Sequence, residues 1–441
     1  MSEHSVSHAS LKYPRGSEWR RWDLHIHSPL SLVQAYGGNT AESWEKFIAE
    51  LEGLPSDVKV IGINDYIFIE GYKKVLEFKR QGRLQNIELI LPVIELRTNE
   101  FAGSGNELSK VNIHVIFPPE DELPPDAIQQ QFINGLSSSY KLAEQVEWNQ
   151  SPTIESLAEL GQKVKALTPS NKTVHQLSDV RAGFNNLYIS REKIGELLAR
   201  DRFHDKYLIA VGFAEWDQIQ WDQAAALKRD IANFAHLIFT SGNDDEAVKK
   251  HQTKLRQDEF QQPLIHASDA HDHASVGKSR TWIKADPTFE GLKQTIHEPE
   301  DRVFIGDSLP KGKNPANIID KVEIKDSNEW FEEKPQLLND GLVAVVGEKG
   351  AGKTALVELI ALAAGDFDTK ANDPSSFIRK ALKATKQITR TIEGCSVTIY
   401  WRDGSSDPFT ITEDLRNYKP SGKVRYLSQS FIEKKCHPDY A

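Results

Sequence analysis

The sequence predicts a mixed α/β chain in two parts, a barrel of strands alternating with helices and a smaller α/β domain after it. Three observations carry this. Seven short apolar or β-branched runs, "RRWDLHIHS", "VKVIGIND", "ELILPVIEL", "NIHVIF", "KYLIAVGF", "AHLIFTSG" and "PLIHASDAH", are separated by helical or polar stretches. Strands in that alternation close into a parallel sheet or barrel. A stretch rich in Gly, Pro and Lys, "GDSLPKGKNPANI", then interrupts the pattern and reads as a linker. Beyond it the apolar run "GLVAVVG" leads through a Gly-rich turn into the apolar helix "KTALVELIALAAG".

The elements follow in order. Periodic helical segments are expected from Trp44 to Leu54 and from Gly71 to Gln81, between the first strands. A polar block from about residue 120 to 206, which includes the helical stretch "REKIGELLARD", is too long for a crossover and reads as an insertion over one face of the barrel. The expected domains are residues 1–305, a linker at 306–320, and 321–441. A chain of 441 residues is long enough to bury two cores.

Composition narrows the function classes. Charged residues at 27% and hydrophobic ones at 39% describe an ordinary globular protein rather than a disordered one. The formal net charge of -10 argues against nucleic-acid binding by bulk charge and leaves only a local basic groove. Two cysteines, Cys395 and Cys436, cannot build a disulfide framework, so a cytoplasmic setting is expected and any metal must be held by His and carboxylate. The polar N-terminus is no signal peptide, and no apolar run reaches the roughly 18 residues of a membrane span.

The chemistry begins in "DLHIHS". In a strand, residues i and i+2 point to one face, so His25 and His27 aim two imidazoles at one spot. "HASDAHDH" repeats the device with Asp269 and His271. Between these pairs, Asp65 in "GINDY", Glu95 in "PVIEL" and His114 in "NIHVIF" fall at or near the ends of successive strands. In barrels of alternating strands and helices such ends converge on one face, which makes one constellation of them. Lys278 and Arg280 follow in "VGKSRTWIK", where they could hold a substrate phosphate.

Read in order, "DLHIHS", "PVIEL", "NIHVIF" and "SDAH" resemble the PHP (polymerase and histidinol phosphatase) domain. The resemblance implies a distorted seven-stranded (β/α) barrel that binds Zn, Mn or Fe and hydrolyses phosphoesters. It implies a first metal on His25, His27, Glu95 and Asp269, with Glu95 bridging to a second that His114 also binds, and His271 serving a further site. Asp65-Tyr66 stands where the family has Asp-His, and Val211 where it has a fifth-strand His. One or two ions, rather than three, are therefore expected. His175, His204 and His236 read as ordinary surface or core histidines, whereas His266, Asp272 and His273 flank the last motif and could orient its ligands.

The second motif is "GEKGAGKT", which fits G-x-x-x-x-G-K-[ST] with a strand, "LVAVV", expected before it and a helix after it. Gly347, Gly350 and Gly352 free the backbone to wrap phosphates, Lys353 reaches the β- and γ-phosphates, and the Thr354 hydroxyl binds Mg²⁺, so ATP with Mg is the expected ligand. "CSVTIYWRDG" and "PFTITEDL" read as antiparallel strands, and "KVRYLSQ" as a strand ending at Gln429. This arrangement resembles ABC- and SMC-type ATPases, in which such a glutamine senses Mg²⁺ and the γ-phosphate. The order of the two parts resembles the PHP-fused ATPases of bacterial defence and repair islands, the TrlF-like group among them. No Walker B acidic run or LSGGQ-like signature is found, so ATP hydrolysis by this chain alone is not expected.

The resemblance implies a metal-dependent phosphoesterase coupled to ATP binding, with nucleic acid as substrate and antiphage defence as setting. Head-to-tail pairing of such ATPases implies a homo-oligomer of even number. Two alternatives stay open: a phosphatase of nucleotides or small molecules, and a catalytically lost barrel that scaffolds nucleotide-driven assembly.

Overall fold

The computed structural model describes residues 13–102, 109–144, 146–219, 221–242, 244–327, 330–367, 376–382, 392–412, 418, 422–428 and 431–432. The chain forms two compact units. Glu18–Pro310 is one, and Lys311–Ala441 together with Met1–Ser17 is the other.

In the larger unit, strands β1 (Trp19–His27), β2 (Val58–Asn64), β3 (Leu89–Ala102) and β4 (Ser109–Ile116) precede the insertion. The insertion holds the hairpin β5 (Ser138–Ala143) and β6 (Val146–Gln150). After it come β7 (Leu208–Gly212), β8 (Leu237–Thr240), β9 (Leu264–His266), β10 (Thr281–Lys284) and β11 (Val303–Ile305). Nine of these make one sheet in the order β11-β10-β1-β2-β3-β4-β7-β8-β9. Its far side folds back on β1, because Ile26 bridges Ala270 and the His27 amide donates to the Ala270 carbonyl at 2.9 Å. Seven strands thus ring a nearly closed barrel, and all seven correspond to the apolar runs of the sequence.

The ring is not uniformly parallel. β1, β2 and β3 run together, as do β7, β8 and β9, but β4 is antiparallel to both β3 and β7. The reason is chain length. Only residues 103–108 separate β3 from β4, and a parallel return needs a crossover of a dozen or more.

Helices α1 (Ala41–Glu52) and α2 (Glu70–Arg80) cover the first crossovers. The Thr40 side chain caps α1 by accepting from the Ser43 amide, and Trp44, Phe47, Ile48 and Leu51 form its buried stripe at i, i+3, i+4 and i+7. Gly62 is required on β2, since a Cβ there would lie 2.4 Å from the Leu24 carbonyl oxygen of β1. The insertion carries α3 (Pro125–Gln131), α4 (Ile154–Leu167), α5 (Asp179–Asn186) and α6 (Arg191–Leu198). Its Phe132, Leu157, Leu160 and Phe184 belong to the same buried cluster as the outer faces of the barrel strands. The remaining helices of this unit are α7 (Phe213–Gln218), α8 (Trp221–Phe234), α9 (Asp245–Gln257), α10 (Phe289–His297) and α11 (Pro299–Arg302).

The barrel interior is a second apolar cluster, with Val60 on β2, Leu91 and Val93 on β3, Ile116 on β4, Leu208 and Ala210 on β7 and Phe239 on β8. Alternation carries each row upward, so Asn64, Glu95 and His114 continue the stripes of Val60, Val93 and Ile116. β1 joins them through a bulge. Its register against β2 shifts between Asp23 and Ile26, and this brings His27 opposite Asn64.

The smaller unit is an antiparallel sheet of β12 (Ile319–Lys325), β13 (Gln336–Leu337), β14 (Ser396–Trp401) and β15 (Ser406–Thr410) in the order β13-β12-β14-β15. Helices α12 (Lys353–Ala363) and α13 (Phe377–Leu382) pack on it through Leu359, Leu362 and Ile378. The antiparallel strands expected around "CSVTIYW" and "PFT" are β14 and β15. Arg15 binds this unit, donating to the carbonyls of Asp320 and Leu338 and pairing with the Asp320 carboxylate at 2.9 Å. Two expectations fail here. Residues 342–346 form no strand, and Leu342 and Val346 stand 93% and 85% exposed, because among the described residues no neighbour pairs with that backbone. Nor is residue 423–428 a strand, and Gln429 lies outside the described residues.

Helices α4 and α5 meet backbone to backbone. A Cβ on Gly161 would lie 1.9 Å from the Asp179 carbonyl oxygen, and one on Gly183 would lie 1.8 Å from that of Leu157. Gly161→Ala should therefore force the helices apart and lower unfolding stability by about 1–3 kcal/mol, read as an earlier midpoint in chemical denaturation of the full chain.

Candidate metal centre

The site is built from strand ends. His25 and His27 come from β1, Glu95 from β3, His114 from β4, and Asp269 and His271 from the turn after β9. His25 Nε2 lies 3.0 Å from His27 Nε2, 3.5 Å from Glu95 Oε2 and 3.2 Å from Asp269 Oδ1. His27 Nε2 lies 3.7 Å from Glu95 Oε2 and 3.5 Å from Asp269 Oδ1, and His114 Nε2 lies 3.7 Å from Glu95 Oε2. Two ligand groups result, His25, Glu95 and His114, and His25, His27 and Asp269, each with its donor atoms within 4.8 Å of one another. His271 joins from the side, stacked on His27 at 3.9 Å with Nε2 3.3 Å from Asp269 Oδ1.

Neighbouring groups orient two of the rings, and one of them fixes a tautomer. His271 Nδ1 lies 2.9 Å from the Val33 carbonyl, which can only accept, so Nδ1 carries a proton and Nε2 faces Asp269. His27 Nδ1 meets the Ser31 hydroxyl at 2.9 Å, leaving its Nε2 to the cluster. Buried His114 makes no well-formed hydrogen bond at either ring nitrogen, and the Ala210 backbone offers only a weak contact. An imidazole buried without partners fits a cation ligand better than a structural residue.

The electrostatics agree. Burial pushes His27 and His114 down to about 4, so both rings are neutral at pH 7. Burial acts against His25 too, but the Glu95 hydrogen bond and the Asp269 charge outweigh it and hold the ring above its ordinary value. Burial likewise works against the Glu95 and Asp269 carboxylates, yet the imidazoles around them keep both far below the ordinary range.

Asp65 does not enter the cluster. Its oxygens accept from the Ser28 amide at 3.0 Å and the Ser28 hydroxyl at 2.9 Å, it sits over Gly71, where a Cβ would be 1.6 Å from Oδ2, and burial pushes it up to about 6. It anchors the turn after β1 instead. Of the other candidate histidines, His175 bonds the Thr168 carbonyl, His204 faces Asp205, His236 accepts from the Ile209 amide, and His273 pairs with Glu50. None of these enters the ligand groups.

Several residues of the site carry no sequence signal. Asn64 Nδ2 lies 2.7 Å from His25 Nε2 and 2.8 Å from Glu95 Oε2, and Asn112 donates to Glu95 Oε1 at 3.0 Å. Asp23 accepts from the Ser268 amide, which steers the turn that presents Asp269. Arg97, Glu215, Phe213 and Phe239 line a cavity of about 240 Å³ in front of the ligands. Glu215 folds over Gly212, where a Cβ would lie 2.1 Å from its Oε2, and burial raises its carboxyl above the ordinary value. Tyr66 and Asp269 adopt left-handed backbone, with φ of 60° and 47°, a strain found where a turn must present a group. Lys278 and Arg280 line a second cavity rather than this one.

In the smaller unit, Gly350 and Gly352 take φ of 89° and 87° and lead into α12. Lys353 Nζ donates to the carbonyls of Gly347 and Glu348 at 2.7 and 2.8 Å, and Thr354 is exposed beside it on the first turn of the helix. No helix among the described residues is long and apolar enough to cross a membrane.

Comparison with known proteins adds the following. A family model described as an AAA domain matches residues 321–437. No curated protein matches the chain. Among solved structures, the novel lesion-specific endonuclease PfuEndoQ from Pyrococcus furiosus is 15% identical over 70% of this chain, with a TM-score of 0.36. The chain spans 63% of the length of that structure. PsfC from Pseudomonas syringae PB-5123 is 13% identical, with 60% of this chain and 82% of that one covered and a TM-score of 0.30. Residues 321–437 are thus similar to an AAA domain.

Protons and a cation compete for these imidazoles. His25 and His271 sit above the ordinary 6.5, so metal affinity should fall as the pH drops from 8 to 6, whereas His27 and His114, at about 4, add nothing to that slope. In the metal-free chain, the same two raised imidazoles add stability that is complete below about pH 6.5 and lost as the pH rises through their folded values. Mn²⁺ or Zn²⁺ titration at both pH values, with melting curves of the metal-free protein alongside, checks both signs.

Proposed function

We propose that the barrel is a PHP-type, metal-dependent phosphoesterase that cuts phosphodiester bonds in nucleic acid, working with the nucleotide-binding AAA-type domain of the same chain. The observation that carries this reading is Glu95 Oε2, a buried carboxylate oxygen within 3.7 Å of three imidazoles, those of His25, His27 and His114. His25, His27, Glu95 and Asp269 would hold a first cation and Glu95 and His114 a second, of Mn, Zn or Fe, with His271 beside Asp269. When bound, such cations polarise a phosphoryl oxygen and acidify water.

The chain's own residues supply the rest. Asn64 and Asn112 clamp the two oxygens of Glu95, which fixes the carboxylate in one orientation. Arg97, on the wall of the same cavity, is the cation placed to hold a nonbridging phosphoryl oxygen. Its ring contact with Phe184, 4.2 Å from the guanidinium carbon, keeps it in place. Glu215 keeps its proton more readily than an ordinary glutamate, because it is buried near Glu95 and Asp269. It is therefore the group suited to protonate the leaving oxygen. Phe239 and Tyr66 close the cavity on its apolar side, and the rings of His25 and His27 pack against them at 5.8 and 4.6 Å.

In the smaller unit, Gly347, Gly350, Gly352, Lys353 and Thr354 would bind ATP with Mg, with Gln429 as the sensing residue by resemblance. Nucleic acid as substrate and antiphage defence as setting rest on the likeness of this domain order to PHP-fused ATPases. An even-numbered assembly rests on the same likeness, and a cytoplasmic setting on the chain's two cysteines.

The His25→Ala/Asp269→Ala double variant should lose bound metal by elemental analysis and lose cleavage of single- and double-stranded oligonucleotides. Glu215→Gln should keep its metal and lose about 10²–10⁴-fold in kcat. Metal-loaded wild type that cleaves p-nitrophenyl phosphate but no oligonucleotide would favour a phosphatase, and metal without any hydrolysis a scaffold. Lys353→Ala should abolish ATP binding measured by a fluorescent analogue.

A further inference from the structure

Beside the metal pocket lies a larger cavity of about 420 Å³ that the reaction does not use. The two share Ser241, Ala267 and Asp269 as a common wall. A ligand with one phosphate at the metal ligands therefore meets the second cavity with its next group. A volume of this size accepts a nucleotide unit.

The cavity wall offers donors of unequal freedom. Arg280 is largely committed, since Asp245 and Asp307 hold its Nη2 and Nε at 2.5 and 2.7 Å and its remaining Nη1 is buried. Arg21 is paired with Asp57 at 3.2 Å and lies over the Trp282 ring. Lys278 is exposed on the wall and has no ion pair among the described residues, so its charge is available. His266 is 6% exposed and bolted in place, with its amide donating to Thr281 Oγ1 at 2.7 Å and its carbonyl accepting from Ser279 Oγ at 2.6 Å. Its Nδ1 accepts from the Arg280 amide at 3.2 Å. Burial and the Arg280 charge push the ring down to about 4, so it is neutral and its single proton sits on Nε2, a donor left for the cavity.

We propose that this cavity binds the phosphodiester next to the scissile one, with Lys278 Nζ and His266 Nε2–H as its donors, so that the substrate is a polynucleotide strand and not an isolated phosphate ester. A fixed neutral imidazole beside an exposed ammonium suits a phosphodiester, which carries one charge and recurs at a constant spacing along a strand. The inference deepens the phosphoesterase reading by naming the substrate that fits it, and its test does not depend on turnover.

Calorimetric titration of the EDTA-treated full chain with the dinucleotide pTpT, and separately with inorganic phosphate, reads the subsite directly. pTpT should bind more tightly than phosphate, and Lys278→Ala and His266→Asn should each weaken it about ten-fold, the loss of one charge-assisted hydrogen bond. Lys172→Ala, on the insertion, should leave it unchanged. Binding of pTpT that neither variant alters would overturn the proposal. So would phosphate binding as tightly as pTpT and falling equally in both variants, since that describes an isolated anion site. Cleavage of pTpT with Mn²⁺ is scored separately, and its absence alongside variant-sensitive binding would count against the hydrolase and not against the subsite.

Discussion

The larger unit is organised around one costly group, the Glu95 carboxylate. A buried anion is tolerated only with opposite charge and hydrogen bonds around it. Three strands supply these here. β1 brings His25 and His27, β2 ends in Asn64, and β4 places His114 directly opposite Glu95 and Asn112 opposite Arg97. The Glu95 hydrogen bond and the Asp269 charge in turn hold the His25 imidazole above its ordinary pKa against the effect of burial. The barrel's closure is bound to the same requirement, because the bridge that joins its two ends pairs Ile26 with Ala270, the residues next after His25 and Asp269.

Much of this geometry is local enough to be legible in the sequence. Strict alternation puts His25 and His27 on one face, and strand-ends that face a barrel interior gather Glu95 and Asp269 with them. The alternation alone does not show that β1 must carry a bulge for that face to be the interior one. His114 arrives by a route the strand-end rule does not describe. It lies on an antiparallel strand and reaches the cluster because its register pairs it with Glu95. Asp65 had the right type and position for a ligand, but Ser28 and the space over Gly71 claimed its carboxylate. Arg97, Asn112 and Glu215 are single polar residues without a spacing pattern, and only the folded ring gives them a common purpose.

The two positive-φ residues at the site show how the turns serve the strands. Tyr66 follows Asn64 and Asp65, and its amide is held by the Asn64 side chain at 2.9 Å while its carbonyl accepts the Glu95 amide at 2.9 Å. The left-handed turn therefore locks β2 to β3 at the level of the site and lays the Tyr66 ring along His27 and Phe184. Phe184 belongs to the insertion, so the insertion's packing reaches His27 through two tilted ring contacts, Phe184 on Tyr66 and Tyr66 on His27. Asp269 has the same backbone on the opposite wall, with Ser268 tied to Asp23 just before it.

The glycine-rich loop before α12 is the opposite case. Its glycines, lysine and helix are contiguous in sequence, and the loop closes on itself with Lys353 bonded to Gly347 and Glu348. Everything needed for that shape is within eight residues, which is why the motif could be read with no knowledge of the fold. The strand expected before it fails for the complementary reason. A strand exists only through its neighbours, and the apolar pattern of Leu342 to Val346 states a readiness to pair without naming a partner. Local chemistry is thus written in the motif, whereas the candidate metal ligands meet only through contacts between distant parts of the chain, and a strand at 342–346 would have needed such a contact too.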